Sequence, residues 1–119
     1  MPDQKPVMYG INNCDTIKKA KSWLNEHHID FDFHDYKKLG IEHSQLTQWV
    51  QQLGWEQLIN KRGTSWRKLD ESSKQNMDDQ LAVTVMMDNP SIIKRPLLVM
   101  GEQKILGFDQ QQYQQLFSG

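Results

Sequence analysis

A chain of 119 residues with 37% hydrophobic and 24% charged residues has the size and apolar content of one core-forming domain, and disorder is excluded. Its net charge of −1 lacks the basic excess that nucleic-acid binding selects, so no nucleic-acid partner is expected. The single cysteine excludes an internal disulfide; with no signal peptide and no apolar run near the ~20 residues of a membrane helix, the expectation is a cytoplasmic monomer away from membranes.

In chain order, residues 1–6 are polar with two prolines and predict a frayed end. Val7 to Gly10 predicts a short buried strand that Gly10 breaks. From about Asp15 to His27 the apolar residues Ile17, Ala20 and Leu24 alternate with Lys18, Lys19, Lys21 and Ser22, which is helical spacing with a basic solvated face. Ile29 to Asp35 alternates apolar and polar, the period of a half-buried strand. Strand, helix and strand so close together predict a βαβ unit with parallel strands and a right-handed crossover. Tyr36 to His43 predicts a loop.

Ser44 reads as an N-cap for a helix that buries Leu46, Trp49, Val50 and Leu53 and ends at Gly54. Trp55, Leu58 and Ile59 predict a further apolar turn, and Lys61 to Leu69 a loop that carries Arg62, Arg67 and Lys68. Arg67 stands four residues from Glu71, the spacing of a local brace. Asp70 to Asn76 predicts a short helix. Asp78 or Asp79 then caps a helix with Leu81, Ala82, Val85 and Met86 inward, stopped by Asn89-Pro90. Met77, Met86 and Met87 read as packing. Leu97 to Met100 is the strongest buried-strand segment, and Gly101-Glu102 turns it into Lys104-Ile105-Leu106 as a hairpin. Asp109 and Gln112 predict a capping box for the last helix, Phe108 and Tyr113 a hydrophobic staple, and Leu116 and Phe117 its buried face. The order is βαβ, a helical block over about residues 44–88, then ββα.

Chemistry concentrates at Cys14, at the join of the first strand and helix. Backbone N–H groups point outward unpaired at a helix start, and with the positive end of the helix dipole they stabilise a thiolate. Lys18 adds a cation one turn on, while Asp15 offsets part of the effect. The alternative is a small buried residue with no reactivity. His27, His28, His34 and His43 lack the paired spacing of a zinc cluster, so no metal is expected.

The run Tyr9-Gly10-Ile11-Asn12-Asn13-Cys14-Asp15-Thr16, with Lys18-Lys19-Ala20 after it, resembles the arsenate reductase (ArsC) family, in particular its YffB branch, which neighbours the Spx regulators. The resemblance continues through Arg62-Gly63-Thr64, Trp66-Arg67-Lys68-Leu69, Ile93-Lys94-Arg95-Pro96-Leu97 and Gly107-Phe108, and so spans essentially the whole chain. It implies one domain over 1–119 with a thioredoxin-like α/β fold: βαβ–ββα around a mixed four-stranded sheet, interrupted by the helical insertion. It also implies a cis peptide at Pro96 facing the cysteine, and an arginine, Arg62, reaching over the site. Arg95 then offers a planar fork suited to an oxyanion or a carboxylate. Asn13 and Thr16 are candidate donors to the sulfur or to a bound group. Two departures stand out. Where arsenate reductases carry a histidine four residues before the cysteine this chain has Gly10, and where they carry a third arginine it aligns Gly107-Phe108.

The resulting expectation is a monothiol reductase in which Cys14 attacks a disulfide or an oxyanion, with arsenate a poor substrate. Glutathione is the expected co-substrate, since one cysteine cannot resolve its own adduct. Glutaredoxin is a further candidate partner, and no cofactor is expected to stay bound. The alternative is a non-catalytic regulator like Spx, binding RNA polymerase. Spx proteins usually carry a Cys-x-x-Cys pair where this chain has Cys14 to Ile17.

Overall fold

The computed structural model describes residues 5–12 and 14–118. They form two compact units, one from the residues up to Lys38 together with those from Arg95 onward, the other from Leu39–Lys94.

The first unit is built on four strands: β1 (Val7–Gly10), β2 (Asp32–Asp35), β3 (Leu97–Met100) and β4 (Gln103–Leu106), in the order β2-β1-β3-β4. β1 pairs parallel with β2, and β3 pairs antiparallel with both β1 and β4. This is the mixed four-stranded sheet of a thioredoxin-like α/β fold. Helix α1 (Asp15–Glu26) makes the crossover between the parallel strands, because two parallel neighbours cannot be joined by a tight turn. Met8 and Leu98, register partners on β1 and β3, are fully buried with Ile17, Ala20, Trp23 and Leu24 of α1 and with Tyr113. Phe108 stands edge-on to Tyr113 with ring centroids 5.0 Å apart, which is the staple expected at the start of the last helix.

The second strand is shorter than its alternation suggests. His28 has φ 58, and the Ile29 N–H donates to the Leu24 carbonyl at 2.9 Å. Ile29 therefore closes α1, which ends at Glu26 rather than His27, and pairing with β1 begins only at Asp32. Nor is Tyr36–His43 all loop: Tyr36–Leu39 forms one helical turn, α2, on which Tyr36 is buried.

In the second unit α3 (His43–Leu53) buries Leu46, Trp49 and Val50 and packs against the later helix over Asp79–Asp88. Its N-cap is Glu42, not Ser44, because Glu42 and Gln45 close a reciprocal capping box that starts the helix earlier. The turn α4 (Trp55–Leu58) follows, then α5 (Thr64–Arg67), a helical turn inside the stretch expected to be loop. Next come α6 (Glu71–Gln75), capped by Asp70, and α7 (Asp79–Asp88), whose N-cap Asp78 accepts the Leu81 N–H at 2.8 Å. Glu71 pairs with Lys74 at 3.6 Å, so the expected brace from Arg67 is not what holds it. A 3-10 turn over Pro90–Ile92 and an antiparallel bridge between Ile59 and Ile93 complete the unit. Back in the first unit, α8 (Gln110–Phe117) is capped by Asp109, which accepts the N–H groups of Gln111 and Gln112. No helix among the described residues is long and apolar enough to cross a membrane.

Candidate active site

Register alone assembles most of the site. Gly10 at the end of β1 pairs with Asp35 at the end of β2, and Tyr9 pairs with Leu97 at the start of β3. The loop after β1, the first residues of α2 and the Arg95-Pro96 step before β3 therefore share one edge of the sheet, at the carboxyl ends of the parallel strands. The Arg95–Pro96 peptide is cis, as the resemblance implies, and Pro96 is buried with its carbonyl accepting the Gly107 N–H at 2.8 Å.

Cys14 is a free, partly buried thiol at the N-cap of α1, with extended backbone angles of φ −105 and ψ 134. Its carbonyl starts the helix by accepting the Lys18 N–H at 3.0 Å, which leaves the N–H groups of the first turn without intrahelical partners. Partial burial pushes the Cys14 thiol up, but the N–H groups of Ile17 and Thr16 and the Arg95 guanidinium outweigh it, and the thiol lies below the ordinary cysteine value. The neutral thiol closes no capping hydrogen bond of its own, so these donors act mainly on the anion.

The Arg95 guanidinium acts on both the Cys14 sulfur and the hydroxyl of Tyr36, favouring the anion of each. Arginine can only donate, so towards it the sulfur and the phenol oxygen can act only as acceptors. Tyr36 is 1% exposed, and burial pushes its hydroxyl up to about 12, so it stays a neutral phenol at any working pH. Asp35, 8% exposed, accepts three backbone donors: Asn12 N–H on Oδ2 at 3.3 Å, and Lys37 and Lys38 N–H on Oδ1 at 3.0 and 3.3 Å. Burial opposes its charge, yet those three donors hold its carboxyl below the usual carboxylate range. Neither Asp35 nor Tyr36 was legible as a site residue. The available signal is the Asp-Tyr-Lys-Lys string itself, an N-cap aspartate ahead of a helical turn.

The other candidates fall as follows. The Thr16 backbone N–H is one of the donors that favour the Cys14 anion. Asn13 lies outside the described residues. Lys18 is exposed on α1, where with Lys19, Trp23 and Phe108 it lines a shallow surface hollow. Arg62 belongs to the second unit, exposed in the loop before α5, with its N–H bonded to Asn60 Oδ1 at 3.1 Å. The two departures from arsenate reductases are built into the packing. A Cβ placed on Gly10 would run into the Cδ1 of buried Ile17 and meet Phe33 at 3.6 Å, so core atoms fill the space a side chain would need. Phe108 is taken up by its contact with Tyr113. Among the described residues, no group of three or more His, Cys, Asp or Glu side chains is placed to hold a metal ion.

The ArsC family model matches residues 9–116. The chain belongs to the ArsC family. Among solved ArsC-like structures it is similar to a protein named YFFB, at 45% identity and a TM-score of 0.88, covering 92% of this chain and 96% of that one. An arsenate reductase (ArsC) related protein from Brucella melitensis is 41% identical with a TM-score of 0.79, covering 100% and 99%. The chain is also similar to the global transcriptional regulator Spx of Lactiplantibacillus plantarum, 26% identical over 87% of this chain and 80% of that one.

Proposed function

We propose that this ArsC-family protein is a monothiol reductase that uses Cys14 as nucleophile and glutathione as the resolving thiol. The observation that carries the reading is Cys14 at the start of α1, with N–H groups and Arg95 favouring its anion. The thiolate attacks the glutathione sulfur of a mixed disulfide, the S–S bond breaks, and the target leaves as a thiolate. Cys14 then carries glutathione. A second glutathione thiolate attacks that adduct, releasing the Cys14 thiolate and oxidised glutathione. The net exchange converts the mixed disulfide and one glutathione thiol into the target thiol and oxidised glutathione, with Cys14 regenerated. A glutaredoxin is a candidate for the same resolving step. Arg95, beside the cis Pro96, is suited to hold a carboxylate of glutathione in a forked pair of hydrogen bonds. Arg62, Asn13, Thr16 and Lys18 are proposed as further contacts for the bound anion. A lone thiol that works with glutathione belongs in a reducing compartment, which supports a cytoplasmic location.

Incubation with oxidised glutathione tests the reading. Intact-mass spectrometry should find one glutathione per chain, and none on Cys14→Ser. A folded wild-type protein that resists modification would make Cys14 a structural residue. A second reading, a non-catalytic regulator that binds RNA polymerase, is supported by the Spx relatives. Retention of polymerase subunits by the immobilised protein, undiminished in Cys14→Ser, would favour it over the reductase.

A further inference from the structure

We infer that Tyr36 is a positioning residue for Cys14, its buried hydroxyl holding the Arg95 guanidinium against the sulfur while Asp35 ties Tyr36 to the loop that carries the cysteine. The inference rests on the thiol reading above and extends it to two residues outside the matching motifs. A guanidinium on a long, flexible stem loses much of its effect on a neighbouring thiol if it is free to change rotamer. Here one acceptor for Arg95 is a phenol that cannot move. Tyr36 begins α2 and is 1% exposed, and α2 is capped by Asp35 Oδ1. The other oxygen of that carboxylate holds the N–H of Asn12, two residues before Cys14, across 23 residues of sequence. One carboxylate thus fixes the distance between the cysteine loop and the turn that presents the phenol. Because arginine has no acceptor, the phenol oxygen must receive its hydrogen bond, and other N–H groups of the guanidinium remain for the sulfur.

The plain alternative is that Tyr36 only fills the core, and Tyr36→Phe separates the two roles because the ring volume is kept. If Tyr36 positions Arg95, the folded variant titrates its Cys14 thiol at a higher pH than wild type. Its second-order rate with oxidised glutathione at neutral pH then falls about tenfold, the order of one charge-assisted hydrogen bond. A folded variant with wild-type titration and rate overturns the inference. A measurement on the unaltered chain covers the case in which the variant does not fold. With 13C at the tyrosine Cζ atoms, the Tyr36 resonance should follow the Cys14 titration, whereas that of Tyr113, which has no hydrogen bond to Arg95, should not. A Tyr36 resonance indifferent to the ionisation of Cys14 also overturns it. Failure of the reductase reading would look different: no glutathione adduct on wild type, with the Tyr36 resonance still following the thiol.

Discussion

Arsenate should be reduced at a rate near background in an assay that supplies glutathione and glutaredoxin, while a glutathione mixed disulfide is reduced efficiently in the same buffer. The difference comes from charge. Arsenate reduction presses a dianion-like oxyanion against an anionic thiolate, and two negative groups in contact need several fixed donors to offset their repulsion. Of the donor set implied by the family's arsenate reductases, this chain keeps Arg62 and Arg95 and lacks the histidine and the third arginine. In the packing, Ile17 occupies the space beside Gly10, and Phe108 is stacked edge-on against Tyr113. Losing one oxyanion-stabilising donor typically costs ~10²–10³ in rate, so two absences reduce turnover by several orders of magnitude. A disulfide makes a lighter demand, since its reacting sulfurs are uncharged. Efficient arsenate turnover that vanishes in Cys14→Ser would show that other cations do the work assigned to the missing pair.

Arg95→Met should raise the pH at which Cys14 ionises and slow its reaction with oxidised glutathione by about 10- to 100-fold at neutral pH, the range of one or two charge-assisted hydrogen bonds. Methionine keeps most of the stem volume and removes the cation that favours the thiolate. The sign with pH follows from the thiol. Below the wild-type midpoint both proteins are protonated and slow. Between the two midpoints only the wild type is an anion, and there the ratio is largest. Above both, an uncharged disulfide should react no more slowly with the variant, because a more basic thiolate is the better nucleophile. A deficit that persists at high pH only for oxidised glutathione would measure the separate capture of a carboxylate by Arg95. Identical pH–rate profiles for the two proteins would remove Arg95 from the account.

The sequence carries these features unequally, for physical reasons. Leu97–Met100 is legible because a run of four apolar residues after proline has few alternatives to a buried strand. Cys14 is legible because a strand break and a helical period meet beside it, and capping is local. Asp35 is not, since its decisive contact with Asn12 spans 23 positions and depends on the parallel register. Tyr36 is hidden for a related reason. One turn of helix is too short to show a period, and nothing local says that its ring turns inward. The cis Arg95–Pro96 peptide was available only through family resemblance, because few X–Pro bonds are cis, about 5–6% in folded proteins. Glu42 is less legible than Ser44 because a hydroxyl is the commoner cap, although Gln45 three residues on marks the reciprocal pair.

The central claim, that the start of α1 and Arg95 favour the Cys14 thiolate over the thiol, is tested most directly by titrating that sulfur. Thiolate absorbance at roughly 240 nm is followed against pH in the wild type, with Cys14→Ser as the blank for tyrosine ionisation. The account predicts a midpoint below the ordinary cysteine value of about 8.5. A midpoint at or above that value in the folded protein would contradict it.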